Sequence, residues 1–145
     1  MIHRFDAFVT GITTCYKYIQ RIKAMEMTEL GLKGTHVMCL FYLNLNPEGL
    51  TAAQLCALCD EDKAAISRTV TELTSRGYIV TSDPQKYRAR LRLTDAGAGI
   101  AVRMNDLIEQ WVCTGGDGLS ERERETFYHS LGVIASNLRG HFPKK

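Results

Sequence analysis

Hydrophobic positions recur every three or four residues along most of this chain, a spacing typical of amphipathic helices. Residues 2–27 carry one such stripe, formed by Phe5, Val9, Ile12, Tyr16 and Ile19. Residues 34–44 are apolar on nearly every side, which predicts a buried helix. Two more long helices are predicted, over residues 95–113 and from Ser120 to Gly140, with Thr94 and Ser120 as their caps. The pattern therefore predicts a mainly helical chain.

Two shorter helices are predicted in the middle of the chain. Thr51 and Gln54 have the spacing of a capping box, which predicts a helix start. This helix should turn its leucines inward, Leu55 and Leu58. Residues 59–62 interrupt the apolar pattern and indicate a turn, and a second helix follows over residues 63–76 until Gly77 ends it. The unit predicted here is a helix-turn-helix.

The second short helix has two different faces. Its apolar positions, together with Thr69, should point at a core: Ile66, Val70 and Leu73. The opposite face carries small or polar residues around one arginine, Ala64, Arg68, Thr71 and Ser75, with Ser67 on the flank. Small residues let a helix lie deep in a groove, and arginine can bind a guanine edge or a phosphate. The alternative is an ordinary solvated face.

After a short β-type run at residues 78–80 and turn residues at 82–85, residues 86–93 alternate strictly. A strand would place its apolar residues on one side, Tyr87, Ala89, Leu91 and Leu93. The other side would be entirely cationic, formed by Lys86, Arg88, Arg90 and Arg92. Four like charges without an acid among them favour contact with phosphates. The alternative is a solubilising edge strand.

The two predicted strands and the turn between them, residues 78–93, form a hairpin that is called the wing below. Three segments together resemble the MarR family of bacterial transcription regulators: residues 55–73, residues 76–79 after them, and residues 93–97 at the end of the wing. The resemblance implies a mainly α fold with a small β-hairpin, a winged helix-turn-helix flanked by amino- and carboxy-terminal dimerisation helices. Within a single unit of residues 1–145, residues 32–97 would form the DNA-binding lobe, and residues 1–27 and 98–142 the dimerisation lobe. The wing departs from the family pattern. The family's Asp-x-Arg pair is replaced by Lys86 and Tyr87, which leaves Arg88 as the tip arginine.

The resemblance also implies a function, that of a homodimeric repressor released by a small ligand or an oxidant. A two-fold dimer places two recognition helices one helical turn apart, so the double-stranded operator should be roughly palindromic. Expected DNA contacts are Lys63, Ala64, Ser67, Arg68 and Thr71 from the helix, and Lys86, Arg88, Arg90 and Arg92 from the wing. A small aromatic effector is expected near Tyr16, His36 and Trp111, for which a core or interface role is the alternative.

Composition adds few constraints. The net charge is only +2, so the prediction of DNA binding depends on where the charges lie. The longest apolar run is too short to span a bilayer and no signal region is visible, so a cytoplasmic protein without membrane contact is expected. The five cysteines, at positions 15, 39, 56, 59 and 113, are expected to be thiols that serve mainly in packing. Redox or metal sensing at Cys56 and Cys59 is the alternative.

Catalytic patterns are not apparent in the sequence: there are no paired carboxylates at a plausible site, no nucleophile–histidine motif and no phosphate-binding loop. We therefore expect neither an enzyme nor a metal or cofactor. The rival hypothesis is a winged helix that serves as a protein-interaction module, without sequence-specific DNA binding, whose cationic strand meets an acidic partner.

Overall fold

A computed structural model describes residues 2–29, 31–82 and 89–141. The elements in order are α1 (Ile2–Glu29), α2 (Gly34–Leu45), α3 (Ala52–Cys59), α4 (Lys63–Ser75), β1 (Ile79–Thr81), β2 (Leu91–Leu93), α5 (Asp95–Gly115) and α6 (Glu121–His141). The predicted fold class, mainly α with a small β-hairpin, is confirmed. The chain divides into two compact units, Met1–Asn105 and Asp106–Lys145, which are described separately below.

The core of the first unit is built around α2, the helix predicted to be buried. Its inward side chains, Val37, Cys39, Leu40 and Leu43, are almost completely shielded from solvent. Neighbouring elements each add apolar side chains to this core: Leu55, Ile66, Leu73, Ile79, Leu91, Ala101 and Met104. Each large aliphatic side chain buried in this way contributes about 1.5–3 kcal/mol to folding. Because Ile66 and Leu73 of α4 are part of this core, the core fixes the position and orientation of that helix.

One of the two leucines that were expected to point inward from α3 is exposed. Leu55 is buried, as expected, but Leu58 is 41% exposed. The helix ends at Cys59, and Asp60 follows with a left-handed backbone, φ +56°. At this end of α3 the side chain of Cys59, not that of Leu58, lies against α2, with its Sγ atom 3.9 Å from Cys39 Sγ.

The hairpin pairs β1 with β2 in antiparallel register, with Val80 opposite Arg92. Ser82 N–H donates to Arg90 O at 2.9 Å, and Leu50 forms an isolated bridge to Leu91. The predicted alternation holds over residues 89–93, where the two arginines are exposed and the apolar residues are buried or half-buried. The strand itself begins at Leu91, and residues 83–88 of the predicted turn and strand lie outside the described residues.

A close backbone approach joins the hairpin to α5. Thr94 Oγ1 accepts a hydrogen bond from Gly97 N–H at 3.1 Å, which confirms Thr94 as a cap. A Cβ atom on Gly97 would lie 1.9 Å from the carbonyl oxygen of Tyr78, whereas one on Gly99 would meet nothing within 4 Å. Only the first of these two glycines is therefore required by packing.

The second unit contains the end of α5 and all of α6. The loop begins at Gly116, two residues later than predicted, because Thr114 and Gly115 still belong to α5. Ser120 and Glu123 form the predicted capping box, with Ser120 N–H donating to Glu123 Oε2 at 2.8 Å. The helix has no buried side chain, and a row of its apolar residues is exposed: Phe127, Tyr128, Val133, Ile134 and Leu138. None of the described helices has a stretch apolar enough, over sufficient length, to cross a bilayer.

Candidate nucleic-acid interface

Helix α4 is fixed at both ends and along one face. Asp62 Oδ1 accepts a hydrogen bond from Ala65 N–H at 2.7 Å, which satisfies one of the unpaired amides at the helix start. Gly77, with φ +73°, ends the helical path in a left-handed conformation that favours glycine. Ile66 and Leu73 anchor the inner face in the core. The opposite face is thereby presented to solvent in a defined orientation.

That outward face contains every helix residue proposed from the sequence to contact DNA, and all five are exposed: Lys63, Ala64, Ser67, Arg68 and Thr71. Thr71 Oγ1 donates to the carbonyl of Ser67 at 2.9 Å, so its hydroxyl proton is used within the helix. Among the described residues, Lys63 and Arg68 have no hydrogen-bond or ion-pair partner. Both cations are free to bind an external anion.

The single acid of α4, Glu72, is turned away from this face. Its carboxylate lies 3.2 Å from Lys33 Nζ and 3.0 Å from His36 Nε2. The hydrogen bond from Lys33 is the main reason why the pKa of Glu72 lies below its ordinary value. One turn further on, Arg76 Nη1 donates to Gly31 O at 2.6 Å. These contacts tie α4 to the start of α2 and leave positive charge alone on the outward face.

His36 is 1% exposed, and both of its ring nitrogens have partners. Nδ1 accepts from Lys33 N–H at 3.1 Å, so Nε2 carries the proton that is directed at Glu72. Burial lowers the pKa of His36, and the nearby Glu72 carboxylate only partly opposes this. The imidazole is therefore a neutral link between α2 and α4.

The three residues proposed for an effector site occupy different surroundings. Tyr16 is 62% exposed on α1, whereas His36 is enclosed in the first unit. Trp111 is half-buried on the part of α5 that belongs to the second unit. An effector that bonded to His36 would have to displace Lys33 N–H or Glu72 from a ring nitrogen. The effector site stays a prediction.

In the wing, Arg90 and Arg92 have partners of their own. Arg90 Nη1 donates to Gly49 O at 3.0 Å, and Arg92 Nε donates to Glu48 O at 3.1 Å. Arg92 Nη2 also lies 3.8 Å from the carboxylate of Glu48. No acid interrupts residues 86–93 in the sequence, but the turn before α3 supplies one that faces Arg92. Both arginines keep further donors and remain exposed, and a surface ion pair of this kind contributes little to stability.

The described part of the interface brings helix and wing together. Lys63 of α4 and Arg90 of the wing line the same cleft, between α3, α4 and the hairpin. Two further predicted contacts, Lys86 and Arg88, lie outside the described residues.

Comparison with known proteins agrees with this arrangement. Residues 30–89 match the sequence model of the MarR family, a range that begins before α2 and includes α3, α4 and β1. This segment, which holds the helix-turn-helix, is similar to the MarR family. The fold of this chain is similar to that of the transcriptional regulator SlyA, with a TM-score of 0.82 at 20% identity, covering 92% of this chain and 95% of that chain.

Two other similar structures were solved with DNA. The S. aureus MepR–DNA complex gives a TM-score of 0.77 at 19% identity, with 88% of this chain and 93% of that chain covered. A putative MarR-family regulator from Listeria monocytogenes, complexed with a 26mer DNA, gives a TM-score of 0.78 at 20% identity. The match covers 94% of this chain and 95% of that chain. At these identities the likeness shows a shared fold.

Two features of this chain were missed by sequence reasoning. The ion pair of Arg92 with Glu48 joins residues more than forty positions apart, which no short motif could reveal. The contacts of Glu72 depend on how α4 packs against α2. A signal was nevertheless present in the sequence: a helix predicted to be buried contains His36, and Glu72 is the single acid of α4. Both features determine which cations remain free at the interface.

Proposed function

We propose that this chain is a sequence-specific, DNA-binding transcription regulator. The observation that carries the proposal is the outward face of α4. It presents Arg68 and Lys63, which have no described partners, while the inner face of the same helix is packed in the core. Two structures with this fold are complexes with DNA, which supports the same use here. A protein-interaction module would not need small residues around a central arginine on this face.

In the proposed complex, α4 enters the major groove. Ala64 permits close approach, while Ser67, Arg68 and Thr71 lie nearest the base edges. Arginine can donate two hydrogen bonds to guanine, and a good pair of this kind discriminates against a wrong base by about 1–3 kcal/mol. Lys63, at the start of the helix, would attract the phosphate backbone, as helix N-termini themselves do.

The wing would supply further, sequence-independent contacts. Arg90 and Arg92, together with Lys86 and Arg88, would follow the backbone or enter the adjacent minor groove. The bonds that Arg90 and Arg92 make to the turn at residues 48–49 would hold their guanidinium groups in place, so that less side-chain entropy is lost on binding.

The proposed regulator acts as a homodimer in the cytoplasm. The exposed apolar residues of α1 and α6 would form the dimer surface, since contiguous apolar patches of this kind commonly mark interfaces. Two-fold symmetry would then place two α4 helices about 34–36 Å apart, which matches a roughly palindromic operator.

The dimer would repress transcription from that site. A small aromatic effector or an oxidant would release the DNA. An effector can do so only to the extent that it binds the DNA-free conformation of the protein more tightly than the DNA-bound one.

The test is fluorescence anisotropy with DNA taken from upstream of the protein's own coding region, measured over a salt series and against random DNA of equal length. We expect tight binding that weakens steeply with salt. Lys63→Ala should weaken binding to all sequences alike and reduce the salt slope by about one. Arg68→Ala should instead lose about 1–3 kcal/mol of operator preference.

Arg122→Ala is the matched control, because it removes an exposed cation from the start of α6, far along the chain from α4. It should leave both affinity and preference unchanged. If Arg68→Ala kept full affinity and full preference for the operator, the assignment of α4 as the reading helix would be wrong. Equal affinity of the wild-type protein for operator and random DNA would favour the protein-interaction module.

A further inference from the structure

The single acid of α4 lies one helical turn away from the arginine that is proposed to contact bases. Residues four positions apart on a helix are neighbours, with Cβ atoms about 5–6 Å apart, and opposite charges at this spacing attract each other. Arg68 and Glu72 have this spacing. A carboxylate that was free at position 72 would therefore compete with DNA for the guanidinium group of Arg68.

In the structure the carboxylate is held by two donors from outside α4. Lys33 Nζ donates to both carboxylate oxygens of Glu72, each at 3.2 Å, and His36 Nε2 lies 3.0 Å from Oε2. A hydrogen bond from a cation to a carboxylate is stronger than one from a neutral donor, so Lys33 is the main partner. Arg68 remains exposed, without a hydrogen-bond or ion-pair partner among the described residues.

The backbone of Lys33 is fixed, whereas its side chain is not part of the core. Leu32, the residue before it, is buried, and Lys33 N–H donates to His36 Nδ1 at 3.1 Å. The side chain of Lys33 is 71% exposed. The lysine is therefore well placed to reach Glu72, and its ammonium group can be removed without opening a cavity.

A second arginine also lies one turn from Glu72, in the direction of the helix end. Arg76 Nη1 donates to Gly31 O at 2.6 Å, so this guanidinium group is already engaged. If the carboxylate of Glu72 were released from Lys33, Arg68 would be the neighbouring cation without a described partner. The effect of Lys33 on Glu72 therefore reaches the outward face of α4.

We propose that Lys33 is a positioning residue for DNA recognition, which keeps Arg68 available for a base edge by holding the carboxylate of Glu72. The inference rests on the proposed function, because its consequence is a change in operator preference. The exchange of partners by Glu72, from Lys33 to Arg68, is a property of the protein without DNA. The experiment therefore has one readout without DNA and one with it.

The first readout is the pKa of Glu72, followed by NMR on the side-chain carboxyl carbon in the full-length protein without DNA. Lys33→Met keeps the aliphatic stem and removes the charge, so this pKa should rise. Adding Arg68→Ala to Lys33→Met should raise it further, because the released carboxylate has turned to Arg68. In the wild-type background Arg68→Ala should have a smaller effect. Equal effects of Arg68→Ala in the two backgrounds would overturn the proposal.

The second readout is anisotropy with operator and random DNA. Lys33→Met should lower the preference for the operator by about two- to fivefold, which corresponds to an exposed ion pair that must be broken before Arg68 can bind a base. Lys33→Arg can still bind both carboxylate oxygens and should retain the preference. Lys17→Met is the matched control, because it removes an exposed lysine of α1 that lies off the apolar stripe, and it should change nothing.

A second variant, Glu72→Gln, distinguishes this role from a direct contact between Lys33 and DNA. No carboxylate can compete for Arg68 in that background, so Lys33→Met should no longer alter operator preference. A loss of equal size in both backgrounds would mean that Lys33 binds DNA itself, and the proposal would be wrong. If the wild-type protein showed no preference for any DNA, the proposed function would fail, while the NMR titration would still decide whether Lys33 keeps Glu72 away from Arg68.

Discussion

Partners distinguish arginines that look alike in the sequence. Arg68 has no described partner and is available for a base edge, whereas Arg92 bonds to the carbonyl oxygen of Glu48 and lies near its carboxylate. Arg76 is committed to a backbone carbonyl at Gly31. Arginines thus differ in their surroundings: Arg92 supports the wing, Arg76 anchors α4, and Arg68 is the arginine proposed for recognition. The environment of each side chain, and not its identity, decides between them.

His36 gives the first prediction at this scale. Burial lowers its folded-state pKa below the ordinary value of 6.5, so the unfolded chain takes up a proton first as the pH falls. The stability from neutral His36 is complete above pH 6.5 and is lost as the pH falls from there through the folded-state pKa. Each unit of lowering is worth about 1.4 kcal/mol. Urea unfolding at pH 7.5 and 5.5 should show a lower free energy of unfolding at pH 5.5.

His36→Gln should flatten this pH dependence, because glutamine can accept from Lys33 N–H and donate to Glu72 without titrating. His129→Gln is the control, since it removes an exposed histidine from α6. A wild-type pH dependence that survives in His36→Gln would show that another group is responsible. Glu72 does not account for the same window, because folding lowers its pKa from 4.5, so the stability that it contributes is complete above pH 4.5 and is lost only below that pH.

At the scale of elements, α4 and the hairpin act as rigid parts because their ends are fixed. Thr94 shows how this is done: its hydroxyl donates to Gly77 O and accepts from Gly97 N–H. One side chain thereby connects the end of α4, the hairpin and the start of α5. This junction holds the hairpin and the end of α4 in fixed relative positions.

The junction gives a prediction with an internal control. Gly97→Ala would place a methyl group 1.9 Å from the Tyr78 carbonyl oxygen, so the backbone must shift. We expect a loss of about 1–3 kcal/mol in the free energy of unfolding, as for other overpacked sites. Gly99→Ala, where nothing lies within 4 Å, should instead stabilise the chain by up to about 1 kcal/mol. Urea titration of the two variants at equal protein concentration compares them, and equal effects would contradict the role given to Gly97.

At the scale of the whole molecule, the described parts of α1 and α6 leave many apolar residues exposed in an isolated chain. Both helices carry their stripes at three- and four-residue spacing, yet these side chains remain in contact with solvent. Exposed apolar surface on this scale favours association. This is the physical basis for the homodimer in the proposed function.

A charge placed in the α6 stripe tests that basis. Leu138→Asp should weaken association at least tenfold, because an unpaired carboxylate would have to be buried at the interface. Sedimentation equilibrium should show the variant shifted towards monomer at micromolar concentration. Ser136→Asp is the matched control, since position 136 faces the opposite side of α6 at 100° per residue. The proposed α6 interface would be refuted if both variants remained dimeric, or if both dissociated equally.

The sequence by itself determined the elements. Helix caps at Thr51, Thr94 and Ser120 were readable because a cap is a local hydrogen bond between residues three apart. The two faces of α4 and the alternation around β2 were readable because helices and strands have fixed side-chain periods. The resemblance to the MarR family was carried by residues 55–73, 76–79 and 93–97, and the family's sequence model matches residues 30–89.

Tertiary structure alone decided which side chains meet. The pairing of Cys39 with Cys59, the carboxylate of Glu72 between Lys33 and His36, and the contact of Arg92 with Glu48 all join segments that are remote in the sequence. Their distances depend on how α2, α3, α4 and the hairpin pack, and packing is a property of the assembled core. For the same reason Leu58 is exposed although its spacing from Leu55 favoured burial: the space at that end of α3 is occupied by Cys59.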